Sequence, residues 1–181
     1  MILYLVRHTK VNIQPGFCYG QSDIGLADTF DKEKEVILEK FKAVEFGYVY
    51  SSPLLRCQAL AEAIAYTKCI VVHDDRLKEL NFGRWEGQLW DDISLTAEAK
   101  NWFADYANIP CPEGESYRQL LARVQKFLLE LKAGPPEKNS VIVCHAVTIR
   151  AFYCLIQNID PAETFLISSD YGQVHELELI R

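Results

Sequence analysis

The sequence predicts an α/β protein: a three-layer α/β/α sandwich around a mainly parallel central sheet, in one domain spanning residues 1–181. Three observations predict it. The length, 181 residues, suits one domain and can bury a core without cross-links. Short apolar runs alternate with longer amphipathic stretches, the pattern of strands joined by helical crossovers. No internal repeat, low-complexity tract or charge block divides the chain.

Ile2–Val6 opens the chain as a continuous apolar run, as expected of a strand buried on both faces. Asp31–Phe41 sets Val36, Ile37, Leu38 and Phe41 among charges and predicts a helix. Gly47–Tyr50 is a second short strand. Pro53–Tyr66 is a Leu- and Ala-rich helix, with Ser52 as its N-cap and Pro53 in its first helical position. Ile70–His73 is a third strand, and residues 91–106 form a less regular helix. Ser116 and Gln119 have the spacing of a capping box. They open a helix with apolar residues at 117, 120, 121, 124, 127, 128 and 131. Gly134-Pro135-Pro136 is a turn. Ser140–Cys144 is a fourth strand, succeeded by a short apolar helix over Thr148–Gln157. Val174–Ile180 places Leu177 and Leu179 on one face and Glu176 and Glu178 on the other, a half-exposed edge strand.

Composition narrows the function. Apolar residues make up 49% and charged residues 24%, which excludes a disordered chain. Nineteen basic against 25 acidic residues give −6, which disfavours a nucleic-acid binder but not a small phosphorylated ligand held by a few local arginines. No apolar run is long enough for a membrane span. Met1–Val6 ends at Arg7-His8, too short for a signal-peptide core, so a cytoplasmic location is expected. The six cysteines, at 18, 57, 69, 111, 144 and 154, include no Cys-x-x-Cys pair. Most of them are expected to be reduced core residues, with no metal site implied.

The residues just past each strand carry the chemistry. Arg7-His8 comes after the first strand. Arg56 lies just beyond the second, in the opening turn of its helix. Glu79 lies beyond the third, and His145 directly after the fourth. In parallel α/β sheets ligands bind beyond the carboxyl ends of the strands, so these residues are expected to share one rim. The set suits phosphoryl transfer. Arginine forks match phosphate oxygens, a neutral imidazole can attack phosphorus, and a carboxylic acid can protonate the leaving oxygen.

Five segments, in order, resemble the histidine phosphatase (phosphoglycerate mutase-like) superfamily: Leu5-Val6-Arg7-His8-Thr9, Tyr50 to Arg56, Leu77 to Gly87, Pro112 to Ser116 and Val141 to His145. The resemblance implies a single histidine phosphatase domain over 1–181. It implies that His8 is the nucleophile that becomes phosphohistidine. Arg7, Arg56 and His145 form the phosphate pocket, and Glu79 is the general acid and then base. Glu86 is structural, and no metal or organic cofactor is implied. Thr9 and Ala146-Val147 replace glycines common in the family, so a changed loop is expected after His145. The family's Leu-Thr-x-x-Gly pattern is degraded at Ile24–Asp28.

No basic insertion lies between Glu79 and Ser116, which favours a compact phosphatase over a mutase. Cys18 to Asp23 is similar to the matching stretch of alpha-ribazole phosphatases. That implies hydrolysis of alpha-ribazole 5′-phosphate in cobalamin synthesis. A broad-specificity or sugar-phosphate phosphatase is the alternative, and a non-catalytic phosphate-binding protein a further one. Gly20, Gln21 and Ser22 are expected to offer donors to phosphate, and Tyr19, Trp85, Trp90 and Tyr117 are candidates for contact with the leaving group. The expected partner is a small phosphorylated substrate, with no nucleic acid or membrane. The oligomeric state is left open.

Overall fold

The computed structural model describes residues 1–66, 69–134 and 138–180. Its strands are β1 (Ile2–Arg7), β2 (Tyr48–Ser51), β3 (Val71–His73), β4 (Ser140–Cys144) and β5 (Val174–Glu178). Its helices are α1 (Phe30–Phe41), α2 (Leu55–Ala65), α3 (Trp90–Leu95), α4 (Ala97–Ala104), α5 (Tyr117–Ala133) and α6 (Ala146–Gln157). The strand order is β3-β2-β4-β1-β5, with the first four strands parallel and β5 antiparallel to β1.

Strand periodicity builds the three layers. On β1 and β4, Leu3, Leu5, Ile142 and Cys144 face a core completed by Leu120, Val124 and Phe127 of α5 and Ile149 and Phe152 of α6. Their neighbours Tyr4, Val6, Val141 and Val143 face the opposite core with Ile37 and Phe41 of α1 and Leu60 and Ile64 of α2. Both faces are covered, which is why β1 and β4 read as unbroken apolar runs. The capping box at Ser116 and Gln119 forms as expected. So does the half-exposed β5, whose Leu177 is buried between exposed Glu176 and Glu178. Cys18, Cys57, Cys111 and Cys144 are buried thiols. Among the described residues, no helix is long and apolar enough to cross a membrane.

Four expectations change. Ser52 does not cap α2, which starts two residues later than predicted, at Leu55 with Leu54 at its N-cap. The Ser52 side chain is drawn instead to His145. The predicted helix over 91–106 is two helices. Thr96 ends α3 and caps α4, accepting from Ala99 N–H at 3.1 Å, and so breaks the run. No loop separates His145 from the next helix, because α6 begins at Ala146, two residues before the predicted start. In place of glycines, Ala146 and Val147 supply the first helical turn, where small and branched residues fit without strain. Last, β5 ends at Glu178, leaving Ile180 exposed. Pro135 and Pro136 of the predicted turn lie outside the described residues.

A paired turn carries the acid-bearing segment after β3. Asn81 N–H donates to Glu115 Oε2 at 3.0 Å, Glu115 N–H returns to Asn81 O at 2.8 Å, and Arg84 N–H reaches Pro112 O at 2.9 Å. Gly83 sits at φ +56, and a Cβ there would lie 2.1 Å from Pro112 O. Backbone cannot give way as a side chain can. Gly83→Ala is therefore expected to destabilise the fold by about 2 kcal/mol or more, from the left-handed backbone and the clash together. Chemical denaturation checks this, and an unchanged midpoint would contradict it.

Candidate active site

The site begins with strand register. Parallel pairing sets Arg7 opposite Cys144 and Ser51 opposite Val143. The next residues of the three strands are therefore His8, His145 and Ser52. His8 N–H extends the ladder to Cys144 O at 3.1 Å, and Ser52 N–H to Val143 O at 3.0 Å. The two imidazoles lie edge to face with centroids 5.1 Å apart.

His8 is 2% exposed, and its Nδ1 lies 2.7 Å from Thr9 O. A carbonyl can only accept, so Nδ1 carries the proton and Nε2 keeps its lone pair. Burial, then the nearby Arg56 and Arg7 charges, hold the His8 pKa well below the ordinary 6.5, although the Thr9 bond opposes them. His145 is fully buried, 2.8 Å from Ser52 Oγ through Nε2 and 3.5 Å from Cys57 Sγ. Burial lowers its pKa well below 6.5 too, with His8, Arg56, Arg123 and Arg7 adding to the effect. Both rings are neutral in the ligand-free protein.

Arg7 and Arg56 flank the histidines. Arg7 donates from Nη1 to Ser169 O at 2.5 Å, and Tyr171 covers its guanidinium at 4.0 Å. Arg56 is fully buried and donates from Nη1 to Ser22 O at 2.8 Å and from Nη2 to Gly20 O at 2.6 Å. Among the described residues neither forms an ion pair with a carboxylate, and the buried Nε of each has no partner. The buried Thr9 Oγ1 and Ser169 Oγ are likewise unpartnered. Two arginines whose charges act on His8, each with a buried donor lacking a protein partner, suit an incoming oxyanion.

Glu79 sits where the first turn of α6 meets the segment after β3. Oε2 accepts from Val147 N–H at 3.2 Å, while Oε1 accepts from Leu80 N–H at 3.0 Å and Thr148 N–H at 3.2 Å. Arg123 holds the backbone beneath it, donating to Arg76 O, Lys78 O and Glu79 O and pairing with Glu115. Glu86 is structural, as expected. Its carboxylate accepts from the N–H groups of Gln21, Ser22 and Phe82 and from Ser22 Oγ.

That network revises the expected substrate donors. The N–H groups of Gln21 and Ser22 are taken by Glu86, and Gln21 Nε2 by Glu79 O at 2.9 Å. Gly20 and Ser22 present their carbonyls to Arg56. In this structure Gly20 and Ser22 anchor Arg56 through their carbonyls, and the donors of Gln21 and Ser22 are engaged within the protein. Of the aromatic candidates, Trp85 and Tyr117 are core residues. Tyr19 and Trp90 line a cavity of about 480 Å³ with Arg7, Lys10, Phe17 and Tyr171. Trp90 also borders a second cavity of about 450 Å³, shared with Leu80, Phe82, Val147, Arg150 and Phe165. Sequence reasoning missed Tyr171 and Arg150. Tyr171 becomes legible only once β5 is known to return antiparallel beside β1, which carries residues 169–173 to His8. Arg150 stands one helical turn beyond Val147, so its placement depends on the early start of α6.

Imidazoles and guanidinium groups gathered at the carboxyl ends of a parallel sheet define an α/β enzyme built for phosphoryl groups. The chain belongs to the histidine phosphatase superfamily (branch 1), whose profile matches residues 3–181, and it is an enzyme of the phosphatase type. Phosphoserine phosphatase 1 of Hydrogenobacter thermophilus is 28% identical over 180 residues, covering 96% of this chain and 85% of that protein. The probable phosphoglycerate mutase GpmB of Escherichia coli is 33% identical over 164 residues, covering 87% of this chain and 74% of that protein. In fold, the chain matches the alpha-ribazole phosphatase of Shigella flexneri with a TM-score of 0.91 at 20% identity, over 100% of this chain and 92% of that one.

The buried neutral histidines make stability depend on pH. An unfolded chain protonates each ring as pH falls through about 6.5, while the native site resists protonation. Their contribution is therefore intact above the unfolded value and lost as pH falls toward the lowered native values. Each group adds a slope of up to about 1.4 kcal/mol per pH unit in that window. Buried His175, also lowered by burial, acts in the same direction. Urea unfolding of the ligand-free protein should show a midpoint that drops between about pH 7 and pH 5, with a shallower drop in His8→Gln. A profile as steep in the variant as in the parent would remove His8 from the account.

Proposed function

We propose that the protein hydrolyses small phosphomonoesters through a phosphohistidine on Nε2 of His8. The observation that carries this reading is the Nδ1–H of His8 bound to Thr9 O, which leaves an unprotonated nitrogen beside two unpaired arginines. Nε2 attacks phosphorus as the P–O bond to the leaving group breaks, and Glu79 gives that oxygen its proton. The phosphorylated ring carries positive charge, which the Thr9 carbonyl stabilises. Glu79, now a carboxylate, takes a proton from water. The resulting hydroxide attacks phosphorus, the P–N bond breaks, and neutral His8 returns with inorganic phosphate. Arg7, Arg56 and His145 hold the phosphoryl oxygens, whose charge is greatest in the transition state.

For the substrate we take alpha-ribazole 5′-phosphate, whose flat aromatic base matches the Tyr19, Trp90 and Tyr171 walls. A second reading, phosphoserine or another phosphoester bearing a carboxylate, is favoured by one observation. Arg150 borders the cavity beside Glu79, and among the described residues its guanidinium has no carboxylate partner. Arg150 Nε donates to Ile167 O at 3.2 Å.

Three measurements test these readings. His8→Ala should lower kcat/KM by at least about three orders of magnitude while the fold persists, and should abolish acid-labile phosphate on quenched enzyme. Normal turnover in that variant would sink the mechanism. Glu79→Gln should impair alkyl phosphates far more than p-nitrophenyl phosphate, whose leaving group needs little protonation. Equal losses would assign the proton to another group. On a panel of alpha-ribazole 5′-phosphate, phosphoserine and sugar phosphates, the highest kcat/KM should fall to the first. A preference for phosphoserine that Arg150→Met abolishes would establish the second reading instead.

A further inference from the structure

Tyr19 and Tyr171 lie far apart in sequence, one before α1 and one before β5, yet their hydroxyls are 2.7 Å apart. Each ring covers a different pocket arginine. Tyr171 lies 4.0 Å from the Arg7 guanidinium, and its ring centroid is 5.5 Å from that of His8. Tyr19 lies 5.2 Å from the Arg56 guanidinium. The pair thus bridges two pocket cations, neither of which pairs with a carboxylate among the described residues.

Two guanidinium groups facing one pocket repel each other and have lost part of their hydration. The electron-rich face of a tyrosine offsets part of that cost without presenting an oxygen to the pocket. A carboxylate would do so more strongly, but it would compete with the phosphoryl group for the same forks. The backbone supports the arrangement. Gly172 N–H lies 3.2 Å from both Arg7 O and His8 O, which clamps the Tyr171 loop onto the end of β1. Ser22 N–H bonds Tyr19 O at 2.9 Å, in the turn whose carbonyls hold Arg56. Burial, and then the bond to Tyr171, push the Tyr19 phenol above its ordinary pKa.

We propose that Tyr19 and Tyr171 form one coupled positioning unit that sets the orientation of Arg56 and Arg7 before substrate arrives. This rests on the reading that the two arginines receive the phosphoryl group.

The test is a double-mutant cycle with tungstate, a tetrahedral dianion, as probe and calorimetry as readout. Tyr19→Phe and Tyr171→Phe each delete the same hydrogen bond and keep both rings. Each should weaken tungstate by about threefold to tenfold, the range of one net hydrogen bond. Because the bond is shared, the double variant should be no weaker than either single variant. Tyr171→Leu removes the face over Arg7 and should weaken tungstate beyond Tyr171→Phe, with KM for p-nitrophenyl phosphate rising in parallel. Thermal unfolding of each variant reports whether the fold is retained. Independent, multiplying losses in the double variant would overturn the coupling. Parental affinity in Tyr171→Leu would overturn the positioning role. Tungstate binding needs no turnover, so a failure of the phosphohistidine mechanism would show in His8→Ala kinetics and leave this cycle readable.

Discussion

The parallel pairing of β1 with β4 is the constraint on which the site depends. It fixes Arg7 opposite Cys144, so the two strands release their chains at the same height with His8 and His145 adjacent. A slip of one residue would turn Leu3, Leu5, Ile142 and Cys144 toward the wrong layer. The register that fills both cores is therefore the register that brings the imidazoles together. β2 joins β4 in the same sense, which puts Ser52 against His145 and starts α2 where Arg56 can enter the pocket. Catalytic geometry here derives from hydrophobic packing, since the polar groups have little freedom once the strands are seated.

Charge is arranged around that frame by sorting carboxylates away from the pocket arginines. Glu86 is taken up by backbone N–H groups of the 20–22 turn and by Phe82. Glu115 is taken up by Arg123 and by Asn81 N–H. Glu79 lies at the pocket, where N–H groups of α6 hold both oxygens. Among the described residues, Arg7 and Arg56 donate to neutral carbonyls. Carbonyl acceptors orient a guanidinium without cancelling its charge, so the field at His8 stays positive. That field and burial both disfavour imidazolium, and the two effects together keep a nucleophilic ring available.

The sequence made the sheet and the reacting groups legible for a physical reason. Unbroken apolar runs mark strands covered on both faces, and residues just past such runs must lie at the carboxyl rim. Arg7, His8, Arg56 and His145 fall there by chain position alone. Contacts between distant segments were not legible. The Gly20 to Ser22 turn looks like a phosphate cradle in isolation. Only the approach of Glu86, 64 residues further on from Ser22, shows its N–H groups to be occupied. Ser52 has the composition of an N-cap, but its hydroxyl meets His145 at 2.8 Å and Leu54 N–H at 3.4 Å, just before the helix begins. Tyr171 depends on an antiparallel strand at the far end of the chain.

Among the described residues, the buried polar atoms lacking a partner include Arg7 Nε and Arg56 Nε of the site, Thr9 Oγ1 next to His8 in the chain and Ser169 Oγ, with Trp102 Nε1, Ser140 Oγ and His175 Nε2 elsewhere. Each such atom costs free energy in the empty protein, on the order of 1–3 kcal/mol. A fold selected for stability alone would have filled the region with apolar side chains or matched the cations with carboxylates. Where it falls on the two pocket arginines, a tetrahedral oxyanion could satisfy such groups. A transition state with more charge on those oxygens would satisfy them better than the ground state does. Strain placed this way becomes selective binding of the transition state, which is the only kind of binding that accelerates the chemical step.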